Sequence, residues 1–172
     1  MSKKAILVYW LVPAQPAREL FRELIRILAK EFDAPRFEPH LTIFAEPPNP
    51  QSDVLRHLKA KPVRLQMRGI SYSAQFTKTL FVRLKSNKSL ERLVADLGHV
   101  AKKPIKLQVD PHISLLYKKL PPSVKRQLAA TIKLPFKQVI FDSIKTVHCT
   151  APARNSADVK AWRIVAAKNL MG

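Results

Sequence analysis

The sequence predicts a mixed α+β fold in which two related halves carry antiparallel strands flanked by helices. Strand-like and helix-like segments follow one another without the regular strand–helix–strand alternation that a parallel sheet requires. The chain of 172 residues is long enough to bury a substantial core. A strand, a helix and an acid-proline-histidine segment also occur in the same order twice. We therefore expect residues 1–172 to form a single domain made of two interleaved, pseudo-twofold-related lobes with a cleft between them.

The first half begins with a short apolar strand, Ala5–Val12. Its apolar run is too short to span a bilayer, and we interpret it as a buried strand and not as a signal peptide. An amphipathic helix from Ala17 to Phe32 follows, and its apolar stripe consists of Leu20, Phe21, Leu24, Ile25 and Leu28. Together with the presence of a single cysteine, Cys149, these features lead us to expect a cytoplasmic protein without a membrane partner.

The second half repeats this order with a strand at Thr79–Leu84 and a helix at Ser89–Ala101. Ser89 is a good N-cap residue, and the apolar stripe of the helix consists of Leu90, Leu93, Val94 and Leu97. Periodicity predicts two further helices and three further strands: helices at Asp53–Lys59 and Pro122–Thr131, and strands at Val63–Ser71, Phe136–Val147 and Ala161–Ala167.

The two halves share a motif. Residues Glu38–Phe44 and Asp110–Leu116 both read acid, proline, histidine, aliphatic, hydroxyl, aliphatic, large apolar, and their histidines are 72 positions apart. In a strand, residues two apart point to the same face, so each half presents an imidazole beside a hydroxyl. If the halves face each other across a pseudo-twofold axis, these four groups converge on one cleft: His40, Thr42, His112 and Ser114.

Two opposed imidazoles suit the opening of a phosphodiester by in-line displacement. One ring removes a proton from the attacking water while the other protonates the departing oxygen. Each of these two roles typically increases the reaction rate by about 10²–10⁴-fold. The hydroxyls would donate to the non-bridging phosphate oxygens. Two alternatives are a solvent-facing polar strand and a zinc site, although a zinc site lacks a well-spaced third ligand. We expect no metal or other cofactor.

Composition excludes several classes of site. The single cysteine, Cys149, allows neither a disulfide framework nor a multi-thiolate metal site. Three glycines are too few for a glycine-rich phosphate loop. The formal net charge is +19, and nearly all of the excess follows residue 50. An excess of positive charge of this size attracts polyanionic partners, of which RNA is the plausible one. The same excess is also consistent with a charged, solvent-exposed surface that binds no partner.

The segments HLTI and HISL resemble the paired motifs of the 2H phosphoesterase superfamily, in particular its cyclic phosphodiesterase and 2′–5′ RNA ligase-like branches. The resemblance implies hydrolysis, without metal, of 2′,3′-cyclic phosphates of nucleotides or RNA ends, or of ADP-ribose 1″,2″-cyclic phosphate, to the 2′- or 1″-phosphomonoester. It implies that His40 and His112 are the acid–base pair and that Thr42 and Ser114 bind phosphate. Tyr117 would border the substrate pocket.

Two other functions remain open from the sequence: an RNA 2′–5′ ligase or phosphodiesterase acting on RNA ends, and a non-catalytic RNA-binding module. Tyr72 and Phe76 are candidates for stacking on a base, with Lys78 near the phosphate, although packing would explain them equally well. The partner would be a cyclic nucleotide phosphate or an RNA 3′ end, and we expect a monomer. The remaining histidines, His57, His99 and His148, are interpreted as structural or surface residues.

Overall fold

The computed structural model describes residues 2–50, 53–107 and 110–171. Within these ranges seven strands alternate irregularly with five α-helices and one short 3₁₀ helix. In chain order they are β1 (Lys4–Pro13), α1 (Ala17–Phe32), β2 (Leu41–Glu46), α2 (Val54–His57), β3 (Val63–Tyr72), the 3₁₀ helix (Phe76–Lys78), β4 (Leu80–Lys85), α3 (Lys88–Val100), β5 (His112–Leu116), α4 (Pro122–Thr131), β6 (Gln138–Ala151), α5 (Ser156–Lys160) and β7 (Arg163–Asn169).

All seven strands belong to one antiparallel sheet whose main path runs β2-β1-β6-β3-β4-β5. Strand β6 is long enough to serve both halves. One of its edges pairs with β1 over ten residues, while the other edge pairs with β3 at its start and with β7 further along. The separate sheets expected for the two halves are therefore joined through this shared strand. The α+β class and the antiparallel pairing are confirmed.

The repeat read from the sequence is present as β1-α1-β2 in one half and β4-α3-β5 in the other. In each unit the two strands pair directly and the helix joins them. Strands β2 and β5 form the two ends of the main sheet path, and each carries one histidine motif. The repeat thus places the two motifs on equivalent strands.

Helices α1 and α3 cover one face of the sheet, and the motif hydroxyls lie on the other face. Phe21 and Ile25 of α1 are buried, as are three leucines of α3, because these side chains face the sheet. Leu20, predicted to belong to the apolar stripe of α1, is 37% exposed and lies outside the buried face, and Val94 of α3 is half-buried. Leu41 and Ile113, each next to a motif histidine, contribute to this helix-covered core. The alternation of a strand then turns the neighbouring polar positions toward the opposite face.

Several predicted boundaries are wrong. Asn87 caps α3 in place of Ser89, because its side chain accepts the amide of Leu90 at 3.0 Å. Strands β6 and β7 begin two residues later than predicted, and α2 is shorter than predicted. The short helix α5 was not predicted, since five residues carry too little periodicity to be recognised.

Candidate active site

The two histidines occupy equivalent places at the start of their strands. His40 immediately precedes β2 and is 7% exposed, whereas His112 is the first residue of β5 and is half-buried. Across the neighbouring strand, Thr42 faces Trp10 and Ser114 faces Phe81. Each motif therefore has an aromatic residue beside its hydroxyl on the same face of the sheet.

Both imidazoles are fixed in the same way. Nδ1 of His40 lies 2.6 Å from the carbonyl oxygen of Glu38, and Nδ1 of His112 lies 2.8 Å from that of Asp110. A carbonyl oxygen can only accept, so Nδ1 carries the proton in both neutral rings. Nε2 is therefore the nitrogen that each ring presents for proton transfer.

The acidic residue before each proline is held by a lysine from a distant part of the chain. Glu38 binds Nζ of Lys145 on β6 through both carboxylate oxygens, at 2.7 and 2.9 Å. Asp110 pairs with Lys78, and this hydrogen bond is the largest cause of a lowered pKa for the Asp110 carboxyl. Because the carbonyls of these same residues accept the histidine protons, the lysine pairs help to fix the ring orientations.

Burial lowers the pKa of both histidines. The pKa of His40 falls to about 4, chiefly because the ring is desolvated and partly because of the charge of His112; the hydrogen bond to the Glu38 carbonyl opposes the shift. Desolvation also lowers the pKa of His112, with Lys78 as a further cause. The charge of His112 thus lies near enough to His40 to lower the pKa of its imidazole. Both shifts favour the neutral form of the ring.

The two hydroxyls differ in their surroundings. Thr42 is exposed, and it lines a pocket of about 190 Å³ together with Asp110 and His112. Ser114 is 4% exposed, and its Oγ donates to the carbonyl oxygen of Thr77 at 2.7 Å. Ser114 also contacts the hydroxyl of Tyr117, whose pKa is raised by burial. Thr42 and His112, one from each motif, therefore line the same pocket, whereas His40 and Ser114 do not line it.

An aromatic cluster surrounds His40, and Tyr117 is the one member of it that the sequence analysis named. The indole of Trp10 stacks on the imidazole with a centroid separation of 3.7 Å and an interplanar angle of 13°. Phe37 and Trp162 contact the same ring edge-on, at 6.2 and 6.1 Å. Tyr117 closes the cluster by stacking on Phe37 at 3.8 Å. Only the register of β1 against β2 could have shown that Trp10 belongs to the site, because 32 positions separate it from Thr42.

The weaker candidates separate into two groups. Lys78 lies beside His112 through its pair with Asp110, and Phe76 contacts Tyr117 with a centroid separation of 6.0 Å. Tyr72 is not brought to this place. Tyr72 pairs with the buried Leu80 in the sheet. The preceding pair, Ser71 and Phe81, lies on the motif face, so Tyr72 points to the opposite face, where its ring lies near Lys125 of α4.

The other candidates from the sequence lie away from the motif pair. His57 is exposed and pairs with Asp53 at 3.1 Å, and His99 is exposed in the last turn of α3. His148 lines a separate cavity of about 850 Å³ that contains no motif residue. Cys149 is a buried thiol whose pKa burial raises to about 11.

Comparison with known proteins identifies the family. Residues 6–170 match the family described as cyclic phosphodiesterase-like protein. The chain belongs to this family. It is therefore a 2H phosphoesterase, as the paired motifs indicated, and a phosphodiesterase-type enzyme. No curated protein sequence matches the chain significantly.

Solved structures with the same fold are distant in sequence. E. coli LigT in apo form has a TM-score of 0.58 and 13% identity, with 99% of this chain and all of LigT covered. The structure of E. coli LigT complexed with 3′-AMP gives the same TM-score at 15% identity and the same coverage. The protein TT0787 of Thermus thermophilus has a TM-score of 0.57 and 15% identity, over 97% and 98% of the two chains. Because the sequence identities are this low, the structural resemblance establishes the shared fold alone.

Two kinds of feature are missing from the part of the chain that the structure describes. None of its helices combines the length and the hydropathy needed to cross a bilayer. Nor do three or more His, Cys, Asp or Glu side chains in residues 2–50, 53–107 and 110–171 converge in an arrangement suited to a metal ion.

Proposed function

We propose that this protein hydrolyses a 2′,3′-cyclic phosphate of a nucleotide or RNA end to the 2′-phosphomonoester, with His40 and His112 as its acid–base pair. One neutral imidazole accepts a proton from water at Nε2 while the water oxygen attacks phosphorus. The bond between phosphorus and the 3′-oxygen breaks, and the second imidazole, protonated, gives its proton to that oxygen. The products are a 2′-phosphate and a free 3′-hydroxyl, with one water consumed.

One observation carries the proposal: each motif holds its imidazole by an Nδ1–H bond to a carbonyl two residues earlier, which directs Nε2 as the reacting atom. A pair of surface histidines has no reason to share this arrangement. The equivalent strands that carry the rings are related by the internal repeat, and this relation supports an opposed acid and base.

Burial supports an assignment of the two roles. His40 is the more buried ring and resists protonation, which suits a base that must be neutral. His112 is half-buried and more easily protonated, especially beside an anionic phosphate, which suits the acid. The rate of a reaction that needs a base decreases when the pH drops below the pKa of that base, because the base is then protonated. We expect the His40→Ala variant to lose this acidic limb of the pH–rate profile and His112→Ala to lose the alkaline limb.

The hydroxyls complete the proposed site. Thr42 faces solvent and can donate directly to a non-bridging phosphate oxygen. The hydroxyl of Ser114 would exchange the carbonyl of Thr77 for such an oxygen when substrate binds. Trp10 would hold the imidazole of His40 in its plane by stacking.

Turnover of a 2′,3′-cyclic mononucleotide, followed by phosphorus NMR in the presence of EDTA, tests the proposal. We expect His40→Ala and His112→Ala each to lower kcat by about 10²–10⁴-fold, because each removes one proton-transfer group. The matched control is His57→Ala, an exposed histidine of α2 that belongs to neither motif, which should leave kcat unchanged. Near-normal turnover in both motif variants would refute the proposal, and so would loss of activity on chelation.

A second candidate, an RNA 2′–5′ ligase or phosphodiesterase, is favoured by the net charge of +19. A small cyclic nucleotide needs few cations, whereas an RNA strand that contacts many loses affinity steeply as salt rises. A steep salt dependence of KM for an oligonucleotide with a 2′–5′ linkage, together with its cleavage, would support this second function.

A further inference from the structure

A basic pocket adjoins the candidate site on the His40 side. It has a volume of about 470 Å³ and lies between α1, the segment that precedes β2, and β6. Its lining consists of Arg22, Ile25, Arg36, Phe37, Glu38 and Lys145. Three of these six side chains are cationic and one is anionic, so the pocket is suited to an anion.

The pocket shares two residues with the site. The ring of Phe37 contacts His40 edge-on and stacks on Tyr117. The carbonyl of Glu38 accepts the Nδ1 proton of His40, and Glu38 also lines the pocket. Phe37 therefore both lines this pocket and contacts the imidazole of His40.

Two arginines supply the net positive charge of the pocket. Lys145 is paired with Glu38, so these two charges balance. Arg36 makes no ion pair within 4.0 Å among the described residues, although its charge is one cause of the lowered pKa of Glu23. The bridge from Arg22 to Glu19 is exposed and 3.6 Å long, so it holds Arg22 weakly. Glu19 does not line the pocket. Guanidinium groups suit phosphate because they donate two parallel hydrogen bonds.

We propose that this pocket binds a phosphate esterified to the 5′-oxygen of the same ribose whose cyclic phosphate reacts at the two histidines, an inference that rests on the proposed function. In an RNA strand this group is the phosphodiester that leads to the preceding nucleotide. In ADP-ribose 1″,2″-cyclic phosphate it is the pyrophosphate. Both substrates thus offer an anionic phosphate ester one ribose away from the reacting phosphorus.

Comparison of adenosine 2′,3′-cyclic phosphate with its 5′-phosphorylated form tests the inference. The 5′-phosphate should lower KM by about tenfold with little change in kcat, the effect of one charge-assisted contact made in both ground and transition states. Arg22→Ala and Arg36→Ala should remove this gain and leave the turnover of the unphosphorylated substrate unchanged. The gain should also shrink as salt is raised.

Arg92→Ala is the matched control. Arg92 lies on α3 and lines a different pocket, beside Lys59 and Lys61, that contains no motif residue. This variant lowers the net charge by the same amount and should keep the full gain from the 5′-phosphate. An equal loss in Arg92→Ala would show that the gain reflects the overall field of the protein and would overturn the inference.

The inference and the proposed function fail in different ways. Turnover of the unphosphorylated substrate without a gain from the 5′-phosphate would overturn the inference alone. If no cyclic phosphate is turned over, the proposed function fails, and calorimetry then tests the pocket directly. Adenosine 2′,5′-bisphosphate should bind about tenfold more tightly than adenosine 2′-phosphate, and the difference should vanish in Arg22→Ala; equal affinities would overturn the pocket assignment.

Two extended substrates distinguish the source of the phosphate. A dinucleotide that ends in a 2′,3′-cyclic phosphate and ADP-ribose 1″,2″-cyclic phosphate each carry the required ester. The one whose KM rises more in Arg22→Ala is the source that the pocket fits. If neither KM changes, the inference is overturned.

Discussion

At the scale of single residues, the most informative feature is the acid-proline-histidine order. The backbone carbonyl of Glu38 accepts the His40 proton while its side chain binds Lys145, so one residue performs two tasks. Asp110 performs both tasks for His112 with Lys78. The sequence showed the repeated acid, but its role depends on two lysines that lie elsewhere in the chain.

The pKa of His40 makes stability depend on pH. In the folded chain this pKa is about 4, below the ordinary value of 6.5, so between these values the unfolded chain binds a proton that the folded chain does not. Stability should therefore fall as pH drops from 7 to 4, and His40 should account for about 3 kcal/mol of the loss.

Urea unfolding of the wild type and of His40→Asn at pH 7 and pH 4 measures this contribution. The amide nitrogen of asparagine can still donate to the Glu38 carbonyl, but it does not titrate. The pH-dependent loss should be smaller in His40→Asn by about 3 kcal/mol. The control, His57→Asn, should behave like the wild type, since His57 is exposed. Equal losses in wild type and His40→Asn would contradict the burial of a neutral ring.

At the scale of elements, the two repeated units place their helices on one face and their motifs at the ends of the sheet. Helix α3 is also tied to β3, because the side chain of Asn87 caps the helix and donates to the carbonyl of Arg64 at 2.8 Å. This contact links the second unit to the strand that joins it to β6. Asn87 therefore stabilises both the start of α3 and its contact with β3.

Asn87→Ala should lower the free energy of unfolding by about 1–2 kcal/mol, because it removes the cap and leaves the amide of Leu90 without its side-chain acceptor. The matched control is Ser89→Ala, at the position that the sequence favoured as the cap. Ser89 is exposed and should change stability by less than about 0.5 kcal/mol. Chemical denaturation of both variants checks this, and a larger effect at Ser89 would place the cap there.

At the scale of the whole molecule, β6 unites the halves because β1 occupies one of its edges while β3 and β7 share the other. Phe141 sits at the junction, paired with Pro13 on one side and Val63 on the other, and it is completely buried. A sheet shared in this way cannot lose one half without exposing the edge of the other. The single domain with two lobes that the sequence predicts remains a prediction, and unfolding experiments test it.

The two halves should unfold in one cooperative step. Both tryptophans, Trp10 and Trp162, belong to the half that contains β1 and β7, whereas far-ultraviolet circular dichroism reports on both halves. The urea transitions from fluorescence and circular dichroism should coincide. Separate midpoints would show that the halves are independent domains.

The sequence by itself determined the α+β class, the repeated unit and the four motif residues, because these depend on local periodicity and on a pattern that occurs twice. Tertiary structure alone decided that Trp10 stacks on His40, that Lys145 and Lys78 hold the two acids, and that Arg22 and Arg36 line a pocket beside the site. The physical reason is that strand register and helix packing bring together residues far apart in the chain. A one-residue change in the register of a strand reverses which side chains share a face, and no local pattern encodes that choice.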